Sequence, residues 1–276
     1  MEDRHIEEKR FNFNKFWGSD MIAPHVVFRR NSKMYCIYCG GSADTREHCP
    51  SRAFLTKPYP TNLPTLPACK LCNNAFSSDE KYVKEVLNYL YMYYMERKDV
   101  LSLFTNEACG VTKEHVKAVT SFISNPHFDK RVDNVFRKLA IGHAAYEISE
   151  GYYSDDWQGE PKCISYALKP MLSDSEWLGL EYAEVIDEDV LPELGSREFR
   201  NIYVVQMPIQ NFETGEMSLL STCLLDWTDV QDDFYKYQVF FRENRIHVKI
   251  ILKDFLYVEV VFERNESDTR TDENKL

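Results

Sequence analysis

Two Cys-x-x-Cys pairs constrain this chain more than any other feature. They are Cys36-Ile-Tyr-Cys39 and Cys69-Lys-Leu-Cys72. Each pair makes a tight knuckle that presents two thiolates, and two knuckles close a tetrahedral shell around one Zn²⁺. Four thiolates leave no open coordination position, so the expected zinc is structural. The gap from Cys39 to Cys69 is 29 residues. That is longer than a simple zinc ribbon needs, so something is inserted between the knuckles. Cys109, Cys163 and Cys223 are scattered singly and read as small buried hydrophobes. Cys49 follows His48, and both could compete for the zinc. Four knuckle thiolates make that the less favoured arrangement.

The rest of the composition removes several classes. No G-x-x-x-x-G-K-[ST], G-x-G-x-x-G or G-x-S-x-G string occurs, so the usual phosphate-loop, dinucleotide and nucleophile-elbow signatures are missing. No apolar run approaches the roughly 18 residues of a membrane helix. The charged start MEDRHIEEKRF has no apolar h-region. The chain therefore reads as cytosolic, with no membrane partner, and eight cysteines in that compartment are not read first as disulfides.

Net charge is −11, but it is unevenly distributed. Residues 1–84 carry 13 basic and 9 acidic side chains, a net of +4. Residues 85–276 carry 20 and 35, a net of −15. A nucleic-acid partner belongs with the basic front. The acidic back is a poor nucleic-acid surface and a candidate for a protein partner.

The chain divides into an N-terminal arm over 1–33, a zinc-bearing module over 34–95, a helical then β-rich part over 96–265, and a disordered polar tail over 266–276. A helix is expected from Ser77, where Ser77-x-x-Glu80 fits a capping box. Val83, Val86, Leu87, Leu90 and Tyr94 continue it at helical spacing. YLYMYYM at 89–95 reads as core rather than as a base-stacking platform. Further helices are expected at Lys113–Ser124 and Lys130–Ser149, with His143 packed on the inner stripe of the latter. Strands are expected at Asn201–Ile209, Met217–Leu225, Tyr235–Arg242, Ile246–Leu252 and Phe255–Phe262, each rich in β-branched and aromatic residues. The acidic stretch 181–193 reads as a solvated loop. The fold class is α+β.

Within and just after the insertion stand Glu47-His48, Asn62-Leu63 and Cys72-Asn73. This ordered set, inside two zinc knuckles, resembles the HNH or ββα-metal nucleases. The stretches CIYCGGSADTREHCPSRAF and NLPTLPACKLCNNAFSSDE are most similar to the subgroup with Glu-His-x-x-Pro and Cys-Asn-Asn-x-Phe. The resemblance covers about residues 34–84. It implies that Glu47 binds a catalytic divalent metal, that His48 activates water, and that Asn62 pins the loop orienting the histidine. Asn73, or Asn74 in its place, would complete the metal site. It further implies a two-strand, one-helix module, cleavage leaving 5′-phosphate and 3′-hydroxyl ends, and a role in defence against foreign DNA.

The residue types support the same chemistry. Phosphodiester hydrolysis needs a base for water and a cation for charge developing on oxygen. Histidine titrates near neutral pH. Glu47 and Asn73 offer the hard oxygen ligands that Mg²⁺ or Mn²⁺ accepts. Arg46, Arg52, Lys57 and Lys70 lie in the only net-basic part of the chain and are candidate phosphate contacts. The function expected is metal-dependent endonucleolytic hydrolysis of DNA. The alternatives are a nuclease acting on RNA and a non-catalytic zinc-knuckle scaffold that binds nucleic acid or protein.

Overall fold

The computed structural model describes residues 35–95, 113–148, 161–186 and 201–263, with 213, 243 and 244 excepted. The expected N-terminal arm, the polar tail and Cys109 lie outside the described residues. The chain is α+β, and every strand pairing among the described residues is antiparallel. Among the described residues no helix is long and apolar enough to cross a membrane.

Strands β1 (Thr45–His48) and β2 (Thr65–Ala68) form a two-stranded ribbon. A short helix α1 (Lys70–Ala75) follows, then the long α2 (Ser77–Met95). Helices α3 (Lys113–Ser124) and α4 (Lys130–Ile148) come next. Strand β3 (Cys163–Leu168) leads to α5 (Asp174–Glu181), β4 (Glu184–Ile186), β5 (Ile202–Gln210) and β6 (Met217–Leu225). The chain closes with β7 (Thr228–Gln231), β8 (Tyr235–Arg242), β9 (Arg245–Leu252) and β10 (Leu256–Glu263). The large sheet has the order β3-β10-β9-β8-β7, and a smaller one has the order β4-β6-β5.

Helix α4 explains how the pieces meet. Val132, Val135, Phe136, Leu139 and Ala140 belong to the core that includes Val248, Ile250, Val258 and Val260 of the large sheet, and His143 is buried as well. Ala145 and Tyr146 pack instead with Ile37, Cys49 and Leu66, beside the first knuckle and the ribbon. A Cβ on Gly142 would lie 3.5 Å from Cys49 Sγ and 3.8 Å from Leu66 Cδ1. The helix thus lies between the large sheet and the knuckle segment, with residues at i, i+4 and i+7 facing the latter. The aromatic end of α2 packs as expected: Tyr89, Tyr91 and Tyr94 are partly buried against the main core.

One expectation fails at the start of α2. Glu80 does not close a capping box. Phe76 keeps right-handed helical geometry between α1 and α2, the Ser77 hydroxyl donates back to the Asn74 carbonyl, and the Glu80 carboxylate is buried against Lys138. The buried pair outcompetes a surface cap. The acidic stretch at 181–193 also differs from a simple solvated loop. Glu181 pairs with Lys236, and Glu184 lies in β4 and pairs with Arg242 and Lys249. Residues 187–193 lie outside the described residues.

Candidate functional site

The four knuckle cysteines converge. Their sulfur atoms all lie within 4.8 Å of one another, and Cys39 Sγ is 3.8 Å from Cys69 Sγ. Tetrahedral zinc with Zn–S of about 2.3 Å needs sulfurs about 3.8 Å apart, so this donor set fits one zinc ion. Local geometry builds the cluster. Gly40 has φ of 70°, and the Cys36 amide donates to the Gly41 carbonyl at 2.7 Å, which folds the first knuckle back on itself. In the second knuckle Cys69 is the N-cap of α1, and the Cys72 amide donates to Cys69 Sγ at 3.3 Å. That amide holds the Cys69 thiol below its ordinary value, while burial raises Cys36 and Cys72. Cys49 is not part of the cluster; it lies 3.5 Å from His143 Nδ1 in the interior.

The ribbon sorts the remaining candidates onto two faces, because successive strand residues point opposite ways. Arg46 and His48 share the outer face. Arg46 Nε donates to Thr65 Oγ1 at 2.8 Å, diagonally across the ribbon, and Thr65 stands directly opposite His48. Burial and then the Arg52 guanidinium hold the His48 imidazole below its ordinary value, opposed by the Pro64 carbonyl. The shift favours the neutral form of His48. Its Nδ1 is buried with no hydrogen-bond partner among the described residues. Arg52 stacks over Tyr59 at 5.2 Å and is otherwise exposed.

Thr45 and Glu47 share the inner face. Asn73 of α1 donates through Nδ2 to Thr45 Oγ1 at 3.3 Å and to the Arg46 carbonyl at 3.4 Å. Both donations are made by the nitrogen, which leaves Oδ1 as the acceptor. Asn73 thus sits in α1, against β1, rather than at the start of the long helix. Glu47 is 7% exposed, and its Oε1 lies 3.3 Å from Lys138 Nζ. The same ammonium donates to Glu80 Oε1 at 2.6 Å. Burial pushes the Glu47 carboxyl up, Lys138 opposes this, and Glu80 adds to it.

Asn62 is exposed in the turn before β2; the carbonyl beside the His48 ring is that of Pro64, two residues on. Lys57, Lys70 and Asn74 are exposed. The Lys70 amide donates to Asp44 Oδ1 at 2.7 Å, which ties the second knuckle to the start of the ribbon. The structure thus gathers Arg46, His48 and Arg52 on one side of β1, and Glu47, Asn73 and Thr45 on the other. Sequence reasoning missed Lys138 and misread Glu80. A signal for Lys138 existed: it lies four residues before Gly142 and seven before Ala145, on a helix face of small residues where a lysine is out of place.

Compared with known proteins, the chain matches no family model, no curated protein and no solved structure.

Proposed function

We propose that this protein is a metal-dependent endonuclease that hydrolyses phosphodiester bonds, with DNA as its substrate. The observation that carries the reading is the placement of Glu47 and His48 at the end of a ribbon that runs directly into α1, which bears Asn73, all held by the four-cysteine cluster. A zinc scaffold alone has no use for this set.

In this reading His48 is the general base. Its neutral form is favoured, it adjoins Arg52, and it sits on the face whose guanidinium groups can hold phosphate oxygens. Arg46, Arg52 and Lys70 bind the backbone of the nucleic acid. Glu47 and Asn73 would hold one Mg²⁺ or Mn²⁺, whose Lewis acidity offsets charge on the phosphoryl and leaving oxygens. The donor set fits such an ion: one carboxylate in a buried cluster carrying two acids and one base, and an amide oxygen oriented by its own nitrogen. The ribbon's alternation puts the Glu47 and His48 side chains on opposite faces of β1.

The test is cleavage of plasmid and single-stranded DNA with Mg²⁺, Mn²⁺ or EDTA, beside His48→Ala with its zinc content measured. Metal-dependent cutting that falls at least a hundredfold in the variant, with zinc retained, is the expected result. A variant that cuts like the wild type removes His48 from the mechanism. Wild type that is inert on DNA but cuts RNA moves the substrate assignment to RNA. Wild type that is inert on both leaves the scaffold reading.

A further inference from the structure

Lys138 lies more than forty residues beyond the segment that carries the other candidate residues, yet it is the cation closest to Glu47 that the structure describes. Its side chain is 2% exposed. It emerges from α4, crosses toward the ribbon, and ends between two carboxylates from two other elements, Glu47 of β1 and Glu80 of α2. The ring of Phe76 closes the group on another side, 5.3 Å from Nζ. A buried lysine is costly unless it is paired. Here it is paired twice, and unequally: 2.6 Å to Glu80 and 3.3 Å to Glu47.

That inequality suggests a division of labour. The short contact anchors the ammonium on Glu80. The longer one has Oε1 of Glu47 as its contact, and the other oxygen of that carboxylate, Oε2, is the one to assign to another cation. Carboxylates that bind metals are commonly held by such a partner, and its removal costs affinity while the ligand itself remains.

We propose that Lys138, anchored by Glu80, is a positioning residue for Glu47: it holds Oε1 so that Oε2 is presented to the divalent metal. This rests on the nuclease reading for Glu47 as a ligand. Lys138 touches neither metal nor substrate; it acts through Glu47.

The experiment is Mn²⁺ binding to the zinc-loaded full chain, followed by the loss of the free-ion electron paramagnetic resonance signal, together with Mn²⁺ titration of cleavage. The variants are Lys138→Met, Lys138→Arg, Glu47→Gln and the double variant Lys138→Met/Glu80→Gln. The double variant removes one charge of each sign and leaves one unpaired buried acid where Lys138→Met leaves two, so it is the less destabilised of the pair.

Lys138→Met or the double variant is expected to weaken Mn²⁺ binding tenfold to a hundredfold. Cleavage at saturating Mn²⁺ should stay within about threefold of wild type, and Lys138→Arg should recover part of the affinity. A merely structural lysine would not shift the metal titration. Mn²⁺ binding that is unchanged in the folded double variant overturns the proposal. Binding that is lost in Glu47→Gln, in a wild type that cuts no nucleic acid, refutes the nuclease reading alone, and the Lys138 variants still decide the positioning role. Wild type that binds no Mn²⁺ overturns both.

Discussion

At the scale of single residues, the histidine that the chemistry does not use makes the sharpest prediction. His143 is fully buried on α4. Its Nε2 lies 2.7 Å from the Tyr235 hydroxyl, its ring stacks on Tyr237 at 3.8 Å, and its Nδ1 meets Cys49 Sγ. Burial pushes its pKa down to about 3 from the ordinary 6.5. The folded state therefore keeps it neutral, while the unfolded chain binds a proton below pH 6.5. Stability linked to His143 is fully present above that value and is lost as pH falls from 6.5 toward 3. Between pH 7 and 5 the loss is about 2 kcal/mol. In urea unfolding, wild type should lose that much more than His143→Gln over the same interval; equal slopes would show a histidine that protonates in the fold. The role of this residue was legible, since a histidine on a helical apolar stripe is usually packed and hydrogen-bonded. That of Lys138 was not, because pattern alone does not say which acids a buried lysine will meet. Glu47 and Glu80 are 33 residues apart in sequence and share one ammonium only once α4 has docked.

At the scale of elements, the segment from Tyr35 to Ala75 buries only Phe54 and Leu55 in the main core, with Tyr38, Tyr59 and Leu63 partly buried against it. Its strands have four residues each and its helix six. Such short pieces do not persist alone. A metal ion bound by the four cysteines would hold them, since binding energy at a structural site is folding energy. Cys36→Ser should cost amide-exchange protection across 35–75 while β8, β9 and β10 keep theirs. Protection that survives in 45–68 would show that docking on α4 suffices. Reading elements from sequence succeeded where the pattern was long. The strands around 202–210, 217–225, 235–242 and 245–263 stand within a residue or two of their expected ends. It failed at β3, β4, β7 and α5, which have three to eight residues each. A three-residue strand such as β4 has no period to detect. Helix α5 did carry a readable sign, the Ser173–Glu176 capping box that the structure forms. The matching string at Ser77 was overridden, because a buried ammonium attracts a carboxylate more strongly than an exposed backbone amide does.

At the scale of the whole molecule, Phe136 marks how tightly the parts are joined. It is fully buried, with ring centroids 6.5 Å from Phe54 and 5.6 Å from Tyr166. It therefore touches both the helical turn after His48 and the edge strand of the large sheet. Phe136→Ala should cost about 3–5 kcal/mol in denaturant unfolding. A loss below 1 kcal/mol would mean that the two regions are joined elsewhere. The same joining was invisible in sequence, which suggested a module and a separate accessory part; a core assembled from residues far apart in the chain leaves no local pattern. It also has a consequence in time. Lys138 is made about ninety residues after Glu47. At 5–20 residues per second, the ribosome takes roughly 5–18 s to bridge that interval. During it, Glu47 and Glu80 have no ammonium between them. The ammonium that joins β1 to α2 is thus supplied late, and that junction closes only after α4 has left the exit tunnel.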